Sequence, residues 1–389
     1  MQTAQGPPPR AWLAGVGVVA AGVLGARAGS VIGRFNGEDP EIFYFSARQR
    51  GLAPLLEPFG GYVHVIPRLV AWVATAVPVE WAAVAIRGLV LAVWVLAAVV
   101  AARVGTEAGG PGLGAAAALA VVACPIASES GLGVLANMQF PLLSMVALML
   151  ARQAETGRGA AAAAVAVLLV GLSDPLAASL LAPAVVLDRA AWLGTRRGRL
   201  VIAAAIVALA VQVPTYLDTA GGRHERNPLL PWSEMSRLWL ASWLLPPAVA
   251  AATVLVLRAR RTGAQARLGW RCAWYTLYLS CVSHVLGGIA DRYYVAPSIL
   301  AVVAAVAAVR SHGGPRRAGV RVAGIAIGAA YLVLAVGAFA PRQFLRDGLA
   351  WREAVVAARA ECSRDGAVTV RIDTVGGAID AAPCDLFED

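Results

Sequence analysis

The sequence predicts an all-α polytopic membrane protein with about eleven transmembrane helices. Of its 389 residues, 59% are hydrophobic and only 14% are charged, and the mean hydropathy is +0.68. Apolar runs of roughly 17–25 residues, the length that crosses the hydrocarbon core of a bilayer, recur along the chain. A soluble domain of this size has no need for so much apolar surface. The lipid bilayer is therefore the first expected partner of this chain.

The apolar runs give the order of the elements. The segment 12–33 is too long and too weakly cleavable for a signal peptide, so it is taken as the first spanning helix. With the connections between them, the spanning helices make a transmembrane domain over residues 1–340. The predicted spans are 12–33, 82–103, 113–127, 134–150, 159–172, 176–188, 200–214, 238–257, 270–289, 294–310 and 322–340.

The distribution of arginine predicts the orientation. Every basic residue is Arg, and clusters such as 196–199 fall in the loops on one side of the predicted bundle. The positive-inside rule makes that side cytoplasmic, which places the N-terminus inside and the C-terminus outside a plasma membrane. Of the 23 acidic residues, only Glu107, Glu155 and Asp188 fall on the cytoplasmic side. The net charge of +10 is thus explained by topology, and nucleic acid is not an expected partner.

The first outer loop, 34–81, is the longest polar interruption near the N-terminus. Its segment 62–79 is only half apolar and contains Pro67 and Arg68. If this segment crossed the membrane, every later loop would change sides and the arginine clusters would face outward. The segment is therefore predicted to be a juxtamembrane helix that lies on the outer face or enters it part way.

Residues 341–389 form a small extracytoplasmic α/β tail. An amphipathic helix is predicted around 351–361, and the alternation over 368–372 is typical of a strand. This tail is too small for a core of its own. A disulfide between Cys362 and Cys384, which the oxidising exterior permits, would help to hold it.

Acidic residues cluster where the first helix leaves the bilayer, at Glu38, Asp39 and Glu41. Such a cluster is often only a solvated loop whose charges keep it out of the lipid. The functional alternative is a general base at the membrane surface, where a lipid-linked substrate presents its head group. Asp39 is the sharper candidate, because Pro40 fixes the adjacent backbone and 36–37 (Asn-Gly) is typical of a turn.

Other polar residues lie at or near membrane depth, where charge requires a partner or a cavity. Arg292 with Tyr293 would suit a phosphate of a lipid carrier, although an Asp291–Arg292 boundary pair beside an interfacial aromatic belt explains them equally well. Asn137 could bind sugar or simply cap a helix, and Asp174 is a weaker candidate for a cavity wall. No residues have metal-ligand spacing, although isolated carboxylates could hold a divalent ion, so no cofactor is assigned.

The order of motifs up to residue 103, about a quarter of the chain, resembles the N-terminal third of the GT-C glycosyltransferases. An acidic pair beside a proline follows the first helix; then come an Arg-containing run, a Gly-Tyr-x-His-x-x-Pro segment over 61–67 and an Arg-bearing second helix. The layout is closest to the polyprenyl-phosphate-dependent aminoarabinose and mannosyl transferases. That resemblance implies a catalytic carboxylate at Glu38 or Asp39.

The same resemblance relates 64–69 to a basic-Pro-Pro-Leu segment on a juxtamembrane helix of that family. This chain has one proline there, Pro67, and the basic residue is either replaced by His64 or displaced to Arg68. Both residues are therefore candidate substrate ligands.

These observations favour a membrane glycosyltransferase that moves a sugar from a polyprenyl-phosphate carrier to a cell-envelope acceptor on the outer face of the plasma membrane. Asp39 would be the base or a carboxylate that orients the acceptor, supported by Glu38, and Arg292 and Arg68 would neutralise the carrier phosphate. A transporter or flippase is the first alternative, but it requires polar groups on the cytoplasmic halves of the helices, which are mostly Ala, Val and Leu. A non-catalytic scaffold whose outer loops and tail bind an envelope partner is the second.

Overall fold

The computed structural model describes residues 8–29, 31–35, 39–125, 132, 134–156, 159–223, 237–257, 263–286, 294–311, 350–364, 367–374 and 377–387, with a few positions between 322 and 337. The helices are α1 (Arg10–Ala28), α2 (Ser46–Arg50), α3 (Val65–Ala74), α4 (Ala82–Gly109), α5 (Pro111–Val122), α6 (Gln139–Thr156), α7 (Ala160–Gly171), α8 (Pro175–Ser179), α9 (Leu181–Leu187), α10 (Arg189–Leu193), α11 (Arg196–Arg223), α12 (Arg237–Leu257), α13 (Ala264–Leu286), α14 (Val295–Ser311) and α15 (Trp351–Cys362). The strands are β1 (Pro58–Phe59), β2 (Tyr62–Val63), β3 (Thr369–Thr374) and β4 (Gly377–Pro383).

The chain is a helical membrane protein. In the described part, three helices are long and apolar enough to cross a bilayer: Arg10–Ala28, Val79–Gly109 and Arg196–Asp218. Shorter apolar helices stand at the predicted spans 113–127, 159–172, 176–188, 238–257 and 294–310, and the span 176–188 is divided between α8 and α9. Helices α6 and α13 stand at the predicted spans 134–150 and 270–289. Most of the predicted span 322–340 lies outside the described residues. The total of eleven spans and the orientation of the termini stay predictions.

Small residues let the helices of the bundle approach closely, as is usual where packing rather than water drives helix association. The chain reverses between α4 and α5 at Gly110, whose φ of 82° favours glycine. A Cβ atom on Gly114 would lie 2.5 Å from the carbonyl oxygen of Ala102. The α4–α5 hairpin therefore depends on glycine at this crossing.

Two acidic residues on the predicted cytoplasmic side form ion pairs. Arg271, buried in α13, donates to both carboxylate oxygens of Asp188, at 2.7 and 2.9 Å. Glu107 of α4 accepts from both Arg103 and Arg152. These charges neutralise one another and join α4 to α6 and α13 to the segment before α10.

The C-terminal tail consists of α15 and an antiparallel hairpin of β3 and β4. The predicted disulfide is present and joins Cys362, the last residue of α15, to Cys384, just after β4. The tail packs on the first outer loop, where the backbone N–H of Trp351 donates to the carbonyl oxygen of Gly33 at 2.8 Å. The loop and the tail thus lie on the same side of the bundle.

Candidate functional site

The first outer loop is an ordered platform over most of its length. It contains a π-helical turn at Asp39–Phe45, then α2, the β1–β2 hairpin and α3, and it ends in a 3-10 turn that leads into α4. The helix predicted at 62–79 is observed as α3, Val65–Ala74. Ten residues rise only about 15 Å, half the thickness of a bilayer core, so α3 is too short to cross it.

Asp39 lies inside the protein, with 1% of its surface exposed. Its carboxylate accepts hydrogen bonds from the backbone N–H of Leu135, at 3.0 and 3.1 Å, and from that of Ala136 at 3.4 Å. These residues precede α6 and are 96 or more positions away in the sequence. Backbone donors of this kind favour the ionised carboxylate and fix its direction.

Arg87 of α4 provides the positive charge that acts on Asp39. Its guanidinium is 2% exposed and donates to the carbonyl oxygen of Arg34 from Nε at 3.1 Å and from Nη2 at 3.0 Å. A third, longer bond of 3.5 Å reaches the carbonyl oxygen of Leu132. The sequence leaves open whether Arg87 pairs with an acid of this loop or extends to the surface, and its burial favours the former.

His64 precedes α3 and is 2% exposed. Its Nε2 lies 3.0 Å from the carbonyl oxygen of Phe59, and its ring stacks on Tyr62 with centroids 4.3 Å apart. Burial, together with the nearby positive charge of Arg68, lowers the pKa of His64 to about 4. The imidazole is therefore neutral at pH 7, with Nε2–H donating to Phe59.

Arg68, one turn into α3, carries a buried charge with little compensation. The side chain lies over the ring of Phe43 at 5.5 Å, and its hydrogen bond to the carbonyl oxygen of Ile42 is long at 3.4 Å. Its Nε is buried and has no hydrogen-bond partner among the residues that the structure describes. The acid that acts on it, Glu57, forms its ion pair with Arg50 at the surface. A buried cation in this state is stabilised by an anion.

The turn between α7 and α8 holds the beginning of α3. The N–H of Ile66 donates to Ser173 Oγ at 2.8 Å, and that of Val65 donates to the carbonyl oxygen of Leu172 at 3.3 Å. Asp174 is the N-cap of α8, where it accepts from the N–H of Leu176 at 2.9 Å. Burial raises the pKa of Asp174 to about 7. Asp174 therefore caps α8, next to the residues of this turn that contact α3.

Two glutamines join the platform to the bundle, and the sequence analysis did not single out either for that role. Gln212, deep in α11, accepts from the N–H of Val63 and donates to the carbonyl oxygens of Val63 and Gly171. Gln139, the first residue of α6, hydrogen bonds to the Tyr62 hydroxyl at 2.9 Å. A polar amide inside an apolar helix was the signal that could have identified Gln212.

The structure brings some of the predicted site residues together. Asp39, His64 and Arg68 all contact the Asp39–Phe45 turn or lie on it, because His64 and Arg68 both lie against Phe43. Asn137 is 8% exposed, in the same turn as the backbone donors to Asp39. The remaining candidates Glu38, Arg292 and Tyr293 lie outside the described residues. Within the described part, no group of three His, Cys, Asp or Glu side chains is placed to hold a metal ion.

The fold is similar to that of a known transferase. The chain superposes on the cryo-EM structure of arabinofuranosyltransferase AftD from Mycobacteria over 98% of its own length, with a TM-score of 0.53 and 17% sequence identity. It spans 31% of that longer chain. No protein-family model and no curated protein matches the sequence. The similarity therefore concerns the fold, and the chemistry must be argued from the residues of this chain.

Proposed function

We propose that this protein is a membrane glycosyltransferase of the GT-C type that uses a polyprenyl-phosphate-linked sugar donor. The observation that carries the proposal is the similarity of nearly the whole chain to an arabinofuranosyltransferase. In this chain, the first outer loop carries both a carboxylate, Asp39, and a guanidinium, Arg68. A glycosyl transfer of this kind needs a base for the acceptor and a cation for the phosphate. The acceptor is a cell-envelope glycan, lipid or protein on the outer face of the plasma membrane.

Asp39 is the proposed base. The acceptor hydroxyl gives its proton to the Asp39 carboxylate while its oxygen forms a bond to the anomeric carbon of the sugar. The bond from that carbon to the carrier phosphate breaks, and the phosphate leaves with the electron pair. The N–H groups of Leu135 and Ala136 orient the carboxylate, the positive charge of Arg87 acts on it, and Glu38 supports it. Because Asp39 is 1% exposed, the loop must open for the acceptor to reach it.

Arg68 is the proposed ligand of the carrier phosphate within the described residues. It is a buried guanidinium with one long hydrogen bond and an unpartnered Nε, and guanidinium groups bind phosphate through paired donors. His64 is neutral at pH 7, so it contributes shape and hydrogen bonding while the positive charge comes from Arg68. Arg292 and Tyr293 are proposed to contact the same carrier, and Asn137 and Asp174 to line the sugar side.

Binding of a short-chain polyprenyl phosphate to the purified full-length protein tests the proposal. Arg68→Gln should weaken binding at least about tenfold, the loss expected for one charge-assisted contact. Arg50→Gln is the matched control, because Arg50 lies on the same loop but is exposed and paired with Glu57, and it should bind like wild type. Arg292→Ala is expected to resemble Arg68→Gln.

Transfer of a radiolabelled sugar from a panel of polyprenyl-phosphate donors tests the catalytic role. Asp39→Asn should abolish transfer and retain donor binding, which also shows that the variant is folded. Transfer by Asp39→Asn would remove this residue from the mechanism. A wild-type protein that binds no polyprenyl phosphate would overturn the proposed function and favour a scaffold.

A further inference from the structure

Trp351, the first residue of α15, contacts the first outer loop at its start, middle and end. Its backbone N–H donates to Gly33, and its indole Nε1 donates to the carbonyl oxygen of Val79 at 2.6 Å. Its ring meets Phe35 edge to face with centroids 4.5 Å apart, and Phe45 at 6.1 Å. Only 2% of Trp351 is exposed. One residue of the tail thus contacts three parts of the loop.

These contacts surround the segment that carries Asp39. Phe35 and Phe45 lie before and after Asp39 in the sequence, and both pack on Trp351. The carbonyl oxygen of Arg34, next to Gly33, receives two hydrogen bonds from Arg87. A continuous set of contacts therefore runs from the tail to the Arg87 guanidinium, whose charge acts on Asp39.

A second set of contacts fixes the tail in this position. Arg359 of α15 donates from Nε to the carbonyl oxygen of Phe387 at 2.8 Å, and its Nη2 lies 3.5 Å from the carboxylate of Glu80. Phe387 in turn packs edge to face on Phe45, with centroids 6.1 Å apart. The disulfide joins the end of α15 to the 3-10 turn that carries Phe387. The beginning of α15 and the 3-10 turn after β4 consequently pack on the same loop.

We propose that the C-terminal tail is a positioning element for the Asp39 site and that Trp351 is its main positioning residue. In this role Trp351 sets the distance between the two ends of the segment that carries Asp39 and holds the Arg34 carbonyl for Arg87. The catalytic consequence rests on the proposed function, whereas the structural coupling does not. A tail that only stabilised itself would leave the Asp39 segment unchanged.

Hydrogen exchange of the full-length protein in detergent tests the coupling without any substrate. Trp351→Phe keeps a ring and removes the hydrogen bond to Val79. It should accelerate exchange about tenfold in peptides covering 31–45 and 132–139 and leave α11 unchanged. Arg359→Gln should give the same pattern more weakly. Arg371→Gln is the matched control, because Arg371 is 66% exposed on β3 and pairs with the exposed Asp373 and Asp380 of the same hairpin. Acceleration confined to 350–387 would overturn the inference.

Transfer kinetics provide the second readout. Trp351→Phe should lower kcat about tenfold while the donor Kd stays within about twofold, since the positioned group is the base and not the phosphate ligand. An unchanged kcat would contradict a positioning role. A wild-type protein without transferase activity would overturn the proposed function alone, because the exchange experiment would still decide whether the tail orders the Asp39 segment.

Discussion

Replacing Gln212 with Leu tests whether the platform is held by hydrogen bonds inside the membrane. Gln212 is 1% exposed, and its amide bonds to the N–H of Val63 at 2.9 Å and to the carbonyl oxygens of Val63 and Gly171, both at 3.1 Å. Leucine has a similar volume and forms none of these bonds. The change therefore measures how much these hydrogen bonds stabilise the contact of the hairpin before His64 with α7 and α11.

The expected effect follows from the number of bonds. Side-chain hydrogen bonds between helices in a membrane average about 0.6 kcal/mol each, so three contribute roughly 1.8 kcal/mol. At about 1.4 kcal/mol for each factor of ten, the equilibrium for local opening of the hairpin should rise about twentyfold. The opening should be confined to the hairpin and the first turn of α3, because two of the three hydrogen bonds of Gln212 go to Val63 of that hairpin.

Hydrogen exchange of a peptide covering 58–68 measures this opening. Gln153→Leu is the matched control: Gln153 is also a buried glutamine in a helix, α6, but among the described residues its Oε1 has no hydrogen-bond partner. Gln212→Leu should accelerate exchange in this peptide, and Gln153→Leu should not. Equal exchange rates in wild type and Gln212→Leu would refute the assignment of Gln212 as the anchor.

Three further predictions concern stability, measured by thermal unfolding in detergent. Gly105→Ala should destabilise the bundle by about 1–3 kcal/mol, because its Cβ would lie 2.8 Å from a backbone oxygen, whereas Gly88→Ala in the same helix has open space and should be neutral or stabilising. Arg271→Met should cost about 3–5 kcal/mol by leaving Asp188 unpaired, and adding Asp188→Asn should recover part of that loss; a lack of recovery would show that the pair is not coupled. The pKa of Asp174 is raised from 3.8 to about 7, so the folded state holds this proton more tightly than the unfolded chain does. The contribution of Asp174 to the free energy of unfolding should therefore be complete below about pH 4 and decrease as the pH rises toward 7. Asp174→Asn should remove this pH dependence. An identical pH dependence in both proteins would contradict the burial of this carboxyl group.

The sequence predicted the class of protein and the positions of most helices. Apolar run length is a local property, so α1, α4–α9 and α11–α14 stand near the spans that hydropathy predicted. The short helices α2 and α10 were not predicted. The juxtamembrane helix was predicted because a further span over 62–79 would have turned the arginine clusters outward. Its length and the β1–β2 hairpin before it were not predicted. The break between α8 and α9 and the early start of α13 at Ala264 were also missed, because packing against neighbours decides where a helix ends.

The candidate site was predicted only in part. Asp39 and Arg68 stand out from the sequence because charge near a membrane is expensive unless it is paired or faces a cavity. The residues that surround them could not be predicted from the sequence. The backbone donors to Asp39 lie 96 and 97 positions away, and the partner of Val63 in α11 lies 149 positions away. No local pattern encodes such contacts.

What the sequence determined by itself is a helical chain for the bilayer, with one polar loop carrying acids and arginines at the end of the first helix. Only the tertiary structure decided that Asp39 is buried against a distant backbone, that Gln212 anchors the loop, and that Trp351, 272 positions from Val79, holds it from the tail. The physical reason is that hydrophobicity acts on each segment independently. A buried hydrogen bond or ion pair exists only once two remote segments have been folded against each other.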